Sequence, residues 1–311
     1  MNNITIKQLR YFEALVRHSH FGRAADACAI TQPAMSVQIR DLEESLGAEL
    51  FERGARQVRL TSFGEEFALR VREILRSVDE LADLARASQD RPTGRLRLGV
   101  IPTIAPYLLP TIIGNLTRAY EGLEIHVRET LTRKLIEELA EGRLDSAIVA
   151  LPVSEPSLTE VALFAENFVL VRPGEDEGKP VPNAEALREM RLLLLEEGHC
   201  FRDQALSFCN MHTVRPRELL EGSSLSTLVQ MVGAGIGVTL IPEMAVAVET
   251  RSAPVSVAHF KSPQPARTIG MIWRKTSPLG KQLKQISEVV RRSADMLRER
   301  HEPRSRGAVP A

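Results

Sequence analysis

Three cysteines in 311 residues are too few for a disulfide-built fold, and they suit a reducing compartment. Cys28, Cys200 and Cys209 make no C-x-x-C redox pair and fit no common zinc motif, so no metal site is expected. Charge of one sign is also lacking: 40 basic residues balance 40 acidic ones. Nothing global marks a nucleic-acid binder, so that function must rest on a local motif. Long apolar runs are absent. The longest, such as "VIPTIAPYLLPTII", are short and broken by prolines, which excludes a membrane-spanning helix. The opening "MNNITIKQLRYFEALVRHSHF" carries charges throughout and does not read as a signal peptide. There is no internal repeat and no low-complexity tract. A soluble cytoplasmic protein with no cofactor and no membrane partner is expected, with length enough for two or three cores.

What is present begins as helix. "IKQLRYFEALVRH" places Leu9, Phe12, Leu15 and Val16 on one face. A short helix is expected at Ala24 to Cys28, a tight break at Ala29 and Ile30, and a second helix capped by Thr31 with Pro33 in its first turn. Val37, Leu42 and Leu46 then point inward and Gly47 ends the helix. "ERGARQVRLTSFG" alternates Val58 and Leu60 with Arg53, Arg56 and Arg59, the pattern of a small hairpin or wing. His18 and His20 precede a helix and suit a cap or a phosphate contact. Cys28, on the first of the paired helices, reads as core filler.

Two helices joined by a tight break can read DNA, because the second fits the major groove with its first residues against base edges. Gln32, Ser36 and Gln38 stand there; Gln can bond adenine bidentately and Ser almost any base edge. Arg53, Arg56 and Arg59 can reach phosphates or the minor groove. The alternative is an ordinary helical hairpin with a solvated polar face.

From Phe63 to about Gln89, Phe67, Val71, Ile74, Val78, Leu81 and Ala85 recur at alternating steps of four and three. That heptad seam predicts pairing with a second copy; the alternative is a long surface helix lying on its own domain. "QDRPTGR" marks a linker. Beyond it strands and helices alternate: "RLRLGVI", "APYLLPTIIGNLTRAY", "LEIHVRE", "TRKLIEELAEG" capped by Thr132 and closed by Gly142, "DSAIVAL", "FVLVRP", "LLLLEEG", "SLSTLVQMVGAG", "VTLIP" and "TIGMIW". A last helix is expected with Ser277 as N-cap and Pro278 at its first position, and Trp273 is expected in the core. The pattern predicts open α/β layers. The glycines of "GAGIGVTLIP" precede a strand instead of opening a helix after one, so no nucleotide site is expected.

The stretch from Arg10 to Arg53 resembles the N-terminal signature of the LysR-type transcriptional regulators, through Phe12, Phe21, Ala24, Ala25, Gln32, Pro33, Ser36, Ile39, Leu42, Glu43, Leu46, Gly47, Leu50, Phe51 and Arg53. The resemblance implies a winged helix–turn–helix at 1–62, a linker and dimerisation helix at 63–91, and a two-lobed α/β regulatory domain at 92–311, similar to periplasmic binding proteins. Lobe I would hold about 92–165 and 269–301, lobe II about 166–268, and 302–311 a basic tail. It also implies promoter DNA and RNA polymerase as partners, and no enzymatic activity.

"EEGHCFRDQALSFC", "IPTIAPYLLPTII" and "ARTIGMIW" further resemble the peroxide-sensing members of that family. One departure is visible: "RPGEDEGKPVPNAEALREM" is shorter than the usual form, which puts that loop's shape in doubt. Position by position, the resemblance makes Cys200 the peroxide-reacting cysteine and Cys209 its resolving partner. Thr103, Thr132, His199, Arg202, Asp203 and Arg267 would line or support the pocket. A homotetramer is implied, and reset by a thiol reductant such as glutaredoxin or thioredoxin.

The residues themselves suit that chemistry. A thiolate, not a thiol, attacks peroxide, and a helix start at His199–Cys200 with Arg202 two positions on favours the thiolate. If 200–209 is one helix, nine residues rise about 13.5 Å with half a turn net. A disulfide needs Cα atoms within about 7 Å, so the bond can form only if the helix unravels. The bland alternative is two inert buried thiols. Two rival functions remain: a regulator of the same family answering a small carboxylate metabolite between the lobes, and a thiol peroxidase using Cys200, which would not need the first ninety residues.

Overall fold

The computed structural model describes residues 4–52, 58–209 and 220–301, with side chains to 298. The chain forms two compact units, Met1–Ala85 and Arg86–Ala311.

The first unit is helical. Helices α1 (Ile6–His18), α2 (Phe21–Ala27) and α3 (Gln32–Leu46) pack with the start of α4 (Ser62–Ala87). Thr5 caps α1 in a capping box with Gln8. The helix α2 begins at Phe21, three residues before the expected start, because His20 Nδ1 accepts the backbone N–H of Arg23. Ala29 makes the break at φ 53°. Thr31 caps α3 by accepting from Ala34 N, and Gly47 closes it at φ 67°.

The buried face of α3 is Met35, Ile39 and Leu42, whereas Val37 is 50% exposed. Val37 therefore does not point inward as expected. It lies five positions before Leu42, which is roughly 140° around a helix, while Met35, Ile39 and Leu42 keep the four-and-three spacing. Phe12 centres the unit, with ring centroids 5.5 Å from Phe51 and 5.2 Å from Phe67. Phe51 and Leu60 form an antiparallel bridge at the base of the expected wing, whose tip, with Arg53 and Arg56, lies outside the described residues.

The helix α4 divides the heptad pattern between two faces. Ala68, Val71 and Leu75 bury in the unit's own core, and Phe67 packs partly against it. Ile74 at 46% and Leu81 at 67% exposure stand on another side, with Phe63 and Leu84 also exposed.

The described residues of the second unit form a nine-stranded mixed sheet flanked by helices. Strand β1 (Gly94–Val100) leads to α5 (Ala105–Ala119), β2 (Leu123–Glu129), α6 (Thr132–Ala140), β3 (Ser146–Leu151) and β4 (Leu158–Pro173). Then come α7 (Ala184–Glu189), β5 (Leu192–Leu195), α8 (Cys200–Phe208), β6 (Leu220–Gly222), α9 (Leu225–Gly233), β7 (Val238–Pro242), α10 (Val246–Glu249), β8 (Val255–His259), β9 (Ala266–Arg274) and α11 (Gly280–His301). The strand order is β2-β1-β3-β9-β4-β7-β5-β6, with β8 also on β4. Strands β1, β2 and β3 run parallel, and so do β5, β6 and β7, as strand–helix–strand units require.

The 16-residue β4 crosses from one half to the other: its first part pairs with β9 and its second with β7 and β8. Two apolar cores follow. One gathers Leu98, Ile112, Ile148, Phe164, Met271 and Val290; the other gathers Phe168, Leu193, Phe201, Val229, Leu240 and Phe260. Trp273 is buried in the first, as expected.

Two expected caps are not found. Leu131 occupies the N-cap of α6, so Thr132 is the first helical residue and makes no capping bond. The helix α11 begins at Gly280; Ser277 accepts from Gly280 N through its backbone, and Pro278 and Leu279 form a turn. Gly142 follows α6 at φ 74°, as expected.

Candidate functional site

Two groups of side chains carry chemistry. The first is the start of α3. Gln32 and Pro33 are exposed, Ser36 and Gln38 half-buried, and Gln38 donates to Asp41 Oδ2 at 3.5 Å. Val37 and Arg40 share the exposed side, and sequence reasoning missed both as surface residues. An exposed valine beside Ser36 offers the apolar contact that a thymine methyl takes.

The second group surrounds α8. Strand β5 delivers the chain to a turn at Gly198, φ 95°, where a side chain would meet Leu131 at 3.1 Å. The start of α6, with Thr132, is thereby brought beside the start of α8. His199 is the N-cap of α8 and Cys200 its first residue. Cys200 is half-buried and packs against the first core, across from its own helix's core. Cys209, at the other end, is fully buried in the second core. All three cysteines are free thiols. Across α8 the helical rise of about 13.5 Å far exceeds what a disulfide spans.

The two arginines expected near Cys200 both carry carboxylate partners. Arg202 is buried; its Nη1 donates to Leu195 O at 3.0 Å and to Glu221 Oε1 at 2.6 Å. Arg267 is buried too. Its Nε donates to Glu166 Oε2 at 2.7 Å, its Nη1 to Thr103 Oγ1 at 2.8 Å and its Nη2 to Thr103 O at 3.1 Å. Its guanidinium carbon stands 5.3 Å from the ring centroid of Phe201, the residue after Cys200. Burial raises the Glu166 carboxyl pKa, and the Arg267 charge opposes that rise. Sequence reasoning missed Glu166, Glu221 and Phe201. A glutamate in a strand carries no sign of its partner until β9 places Arg267 in register beside it.

Thr103 thus accepts from Arg267, which leaves its own hydroxyl proton to donate. Thr132 Oγ1 is buried with no hydrogen-bond partner among the described residues. Burial lowers the pKa of His199, opposed by Glu196, so its neutral form is favoured. Asp203 is exposed on the first turn of α8, where its charge complements the helix dipole. At Cys209 burial pushes the thiol up to about 11, and Arg188 opposes it.

Thr103, Leu131 and His199 also line a cavity of about 400 Å³ between the two halves of the sheet. Its wall includes Glu129, Glu196 and Glu249, and no lysine or arginine among the described lining residues. Glu249 is held by Tyr107, whose hydroxyl donates at 2.6 Å, and by the hydroxyl of Ser226.

A helix–turn–helix unit and a two-core α/β unit with a cleft between its cores, beside which α8 starts at His199, define a class of DNA-binding regulators with a sensing domain. Residues 6–65 match the bacterial regulatory helix-turn-helix proteins of the lysR family, and residues 89–295 match the LysR substrate binding domain. The chain belongs to the LysR family of transcriptional regulators. It is 42% identical to a "Probable hydrogen peroxide-inducible genes activator" of Streptomyces viridosporus, over 92% of this chain and 93% of that one. A full-length OxyR variant from Pseudomonas aeruginosa has a similar structure, with TM-score 0.73 and 36% identity, covering 93% of this chain and 95% of that one. A hydrogen-peroxide-bound OxyR mutant from Corynebacterium glutamicum follows at TM-score 0.66 and 32% identity, covering 94% and 93%. Among the described residues no helix is long and apolar enough to cross a membrane.

Proposed function

We propose that this protein is a peroxide-activated transcription regulator in which Cys200 is the sensing thiol and Cys209 its resolving partner. The observation that carries the reading is the placement of one free thiol at the first position of α8, facing the opposite core, with a second thiol at the far end of the same helix. The similarity to peroxide-inducible activators and to a peroxide-bound OxyR supports it.

In the first step the Cys200 thiolate attacks one peroxide oxygen. The S–O bond forms, the O–O bond breaks, and the departing hydroxide takes up a proton to leave as water. Thr103 and Thr132 are the hydroxyls suited to hold peroxide and donate to the leaving oxygen. Arg267 orients Thr103, Arg202 fixes the first turn of α8, and His199, in its neutral form, occupies the N-cap without adding charge to the thiolate's surroundings. Asp203 acts on the helix dipole. In the second step the Cys209 thiolate displaces hydroxide from the sulfenic acid. That step demands that α8 unravel, so the covalent bond imposes a second packing on its half of the domain.

Residues 1–62 would read promoter DNA through Gln32, Pro33, Ser36 and Gln38, with Val37 against a thymine methyl and Arg53 and Arg56 at the backbone. Helix α4, in 63–91, would pair copies through Phe63, Ile74 and Leu81. Residues 92–311 would sense. Paired dimers would form a tetramer whose four reading heads shift on oxidation and engage RNA polymerase to raise antioxidant gene transcription. Glutaredoxin or thioredoxin would restore the thiols. The reading excludes any need for catalytic turnover. A carboxylate effector in the cleft is disfavoured, because the lining presents three glutamates and no described lysine or arginine to pair with it. Non-reducing peptide mapping after stoichiometric peroxide should find Cys200 linked to Cys209; peroxide-treated protein whose two cysteine peptides remain separate and unoxidised would end the reading.

A further inference from the structure

Helix α8 is held differently at its two ends. At the start, Phe201 is buried against Phe168 with ring centroids 4.8 Å apart and lies under Arg267, while Arg202 bonds Leu195 O and Glu221. These contacts keep Cys200 in place. At the end, Phe208 is half-buried against Phe260 at 5.1 Å. The carbonyl of Cys209 itself accepts the Nε–H of Arg188 at 2.7 Å. Arg188 sits on the last turn of α7, whose Leu187 is anchored in the same core. A helix leaves its last four carbonyls without intrahelical partners, and a cation at that end is favourable. Here the carbonyl so satisfied belongs to the residue that must travel.

We infer that Arg188 is a positioning residue that latches Cys209 at the end of α8 and so sets the rate of disulfide closure, resting on the peroxide-sensing reading above. In closure the Cys209 thiolate attacks the Cys200 sulfur. The S–S bond forms as the S–O bond breaks, and the hydroxide leaves as water with the proton that Cys209 gave up. Cys209 is oxidised and the sulfenic sulfur is reduced to the disulfide level. None of this can start while Cys209 is held at the far end of the helix. The guanidinium bond and the burial of the thiol must both be lost first. Once free of the core, the thiol regains an ordinary acidity, so opening limits the step. Arg188 also favours the thiolate while Cys209 is still buried, but a buried thiol in an intact helix cannot reach its target.

The test compares full-length wild-type protein with Arg188→Gln and Arg188→Lys, using two clocks. Trapping with a sulfenic-acid probe reads the first step, and mass spectrometry of the 200–209 linkage reads the second. Arg188→Gln should leave sulfenic-acid formation within two-fold of wild type and speed closure roughly ten-fold, the loss expected for one charge-assisted hydrogen bond. Arg188→Lys keeps the positive charge that Arg188→Gln removes, on a shorter-reaching and non-planar head, and should close at a rate between the two. A general loosening of the fold would change both steps together. Closure in Arg188→Gln that is unchanged or slower overturns the latch. Wild-type protein that forms no sulfenic acid at Cys200 instead overturns the sensing reading, whatever the variants do.

Discussion

Cys200 and Cys209 bound one helix, yet they belong to different halves of the regulatory domain. The first is half-buried and touches the core of the opposite half; the second is fully buried in the core that the helix itself builds. The N-cap of α8, His199, lines a cleft that also holds Thr103, Ser224 and Ser226, and the other end of the helix faces hydrocarbon. Reactivity and reserve are separated by about 13.5 Å of helix. An accessible thiol at a helix start suits attack on a small oxidant, and a buried thiol stays protonated until the fold opens. The same chemistry is thus made early at one end and late at the other by packing alone.

The sharpest way to break this contrast is to remove each sulfur in turn. Cys200→Ser should still bind promoter DNA and lose the transcriptional response to peroxide completely, read in a reporter assay; a response that survives removes Cys200 from the mechanism. Cys209→Ser should still form a sulfenic acid at Cys200, trapped chemically, but no internal disulfide.

Next in size is Glu166→Ala. Arg267 and Glu166 are both almost fully buried, and breaking such a pair by removing one partner costs about 3–5 kcal/mol. Urea unfolding should show that loss, and peroxide reactivity at Cys200 should change because Thr103 loses its fixed donor. A third comparison sets the two aromatic anchors against each other. Phe201→Ala should destabilise by about 3–5 kcal/mol, as burial of the whole ring predicts. Phe208→Ala, at the half-buried end, should cost about 1–2 kcal/mol. Equal losses at the two ends would erase the proposed asymmetry.

An effect confined to alkaline solution is a pH slope. The folded Cys209 thiol is raised from 9.0 to about 11. A raised folded value means that the folded state holds its proton longer. The stabilisation is therefore complete below the unfolded pKa, declines as pH rises from about 9 toward 11, and is gone beyond it. The slope is at most about 1.4 kcal/mol per pH unit. Reduced wild-type protein should lose stability over that alkaline window, and Cys209→Ala should lose less of it. Parallel curves for the two proteins would show that Cys209 is as solvated in the fold as in the unfolded chain.

Local chemistry made much of this legible in advance. Thr31, Pro33 and Gly47 bracket α3 by capping and by a left-handed residue, which are one-turn effects and need no distant partner. The helix from Cys200 was likewise readable, and with it the conflict between spacing and disulfide geometry. Failures came where neighbours decide. Val37 looked like core by composition but lies off the face that Met35, Ile39 and Leu42 define. Thr132 has the sequence context of a cap, but its hydroxyl is buried without a partner among the described residues. The four-and-three spacing of α4 predicts one face, but Val71 joins the unit's own core while Ile74 and Leu81 stand exposed.

What the amino-acid order determined alone is local or periodic: two capped helices with a tight break, the alternation of strand and helix, and nine residues of helix between two thiols. Tertiary structure decided which core each sulfur enters, that Arg267 reaches Thr103 while paired to Glu166, and that Arg188 holds the carbonyl of Cys209. Caps and helical periods act through residues within a turn of each other. The partners of Arg267 and Arg188 lie 101, 164 and 21 positions away, and only the register of β4 on β9 and the packing of α7 beside α8 bring them together.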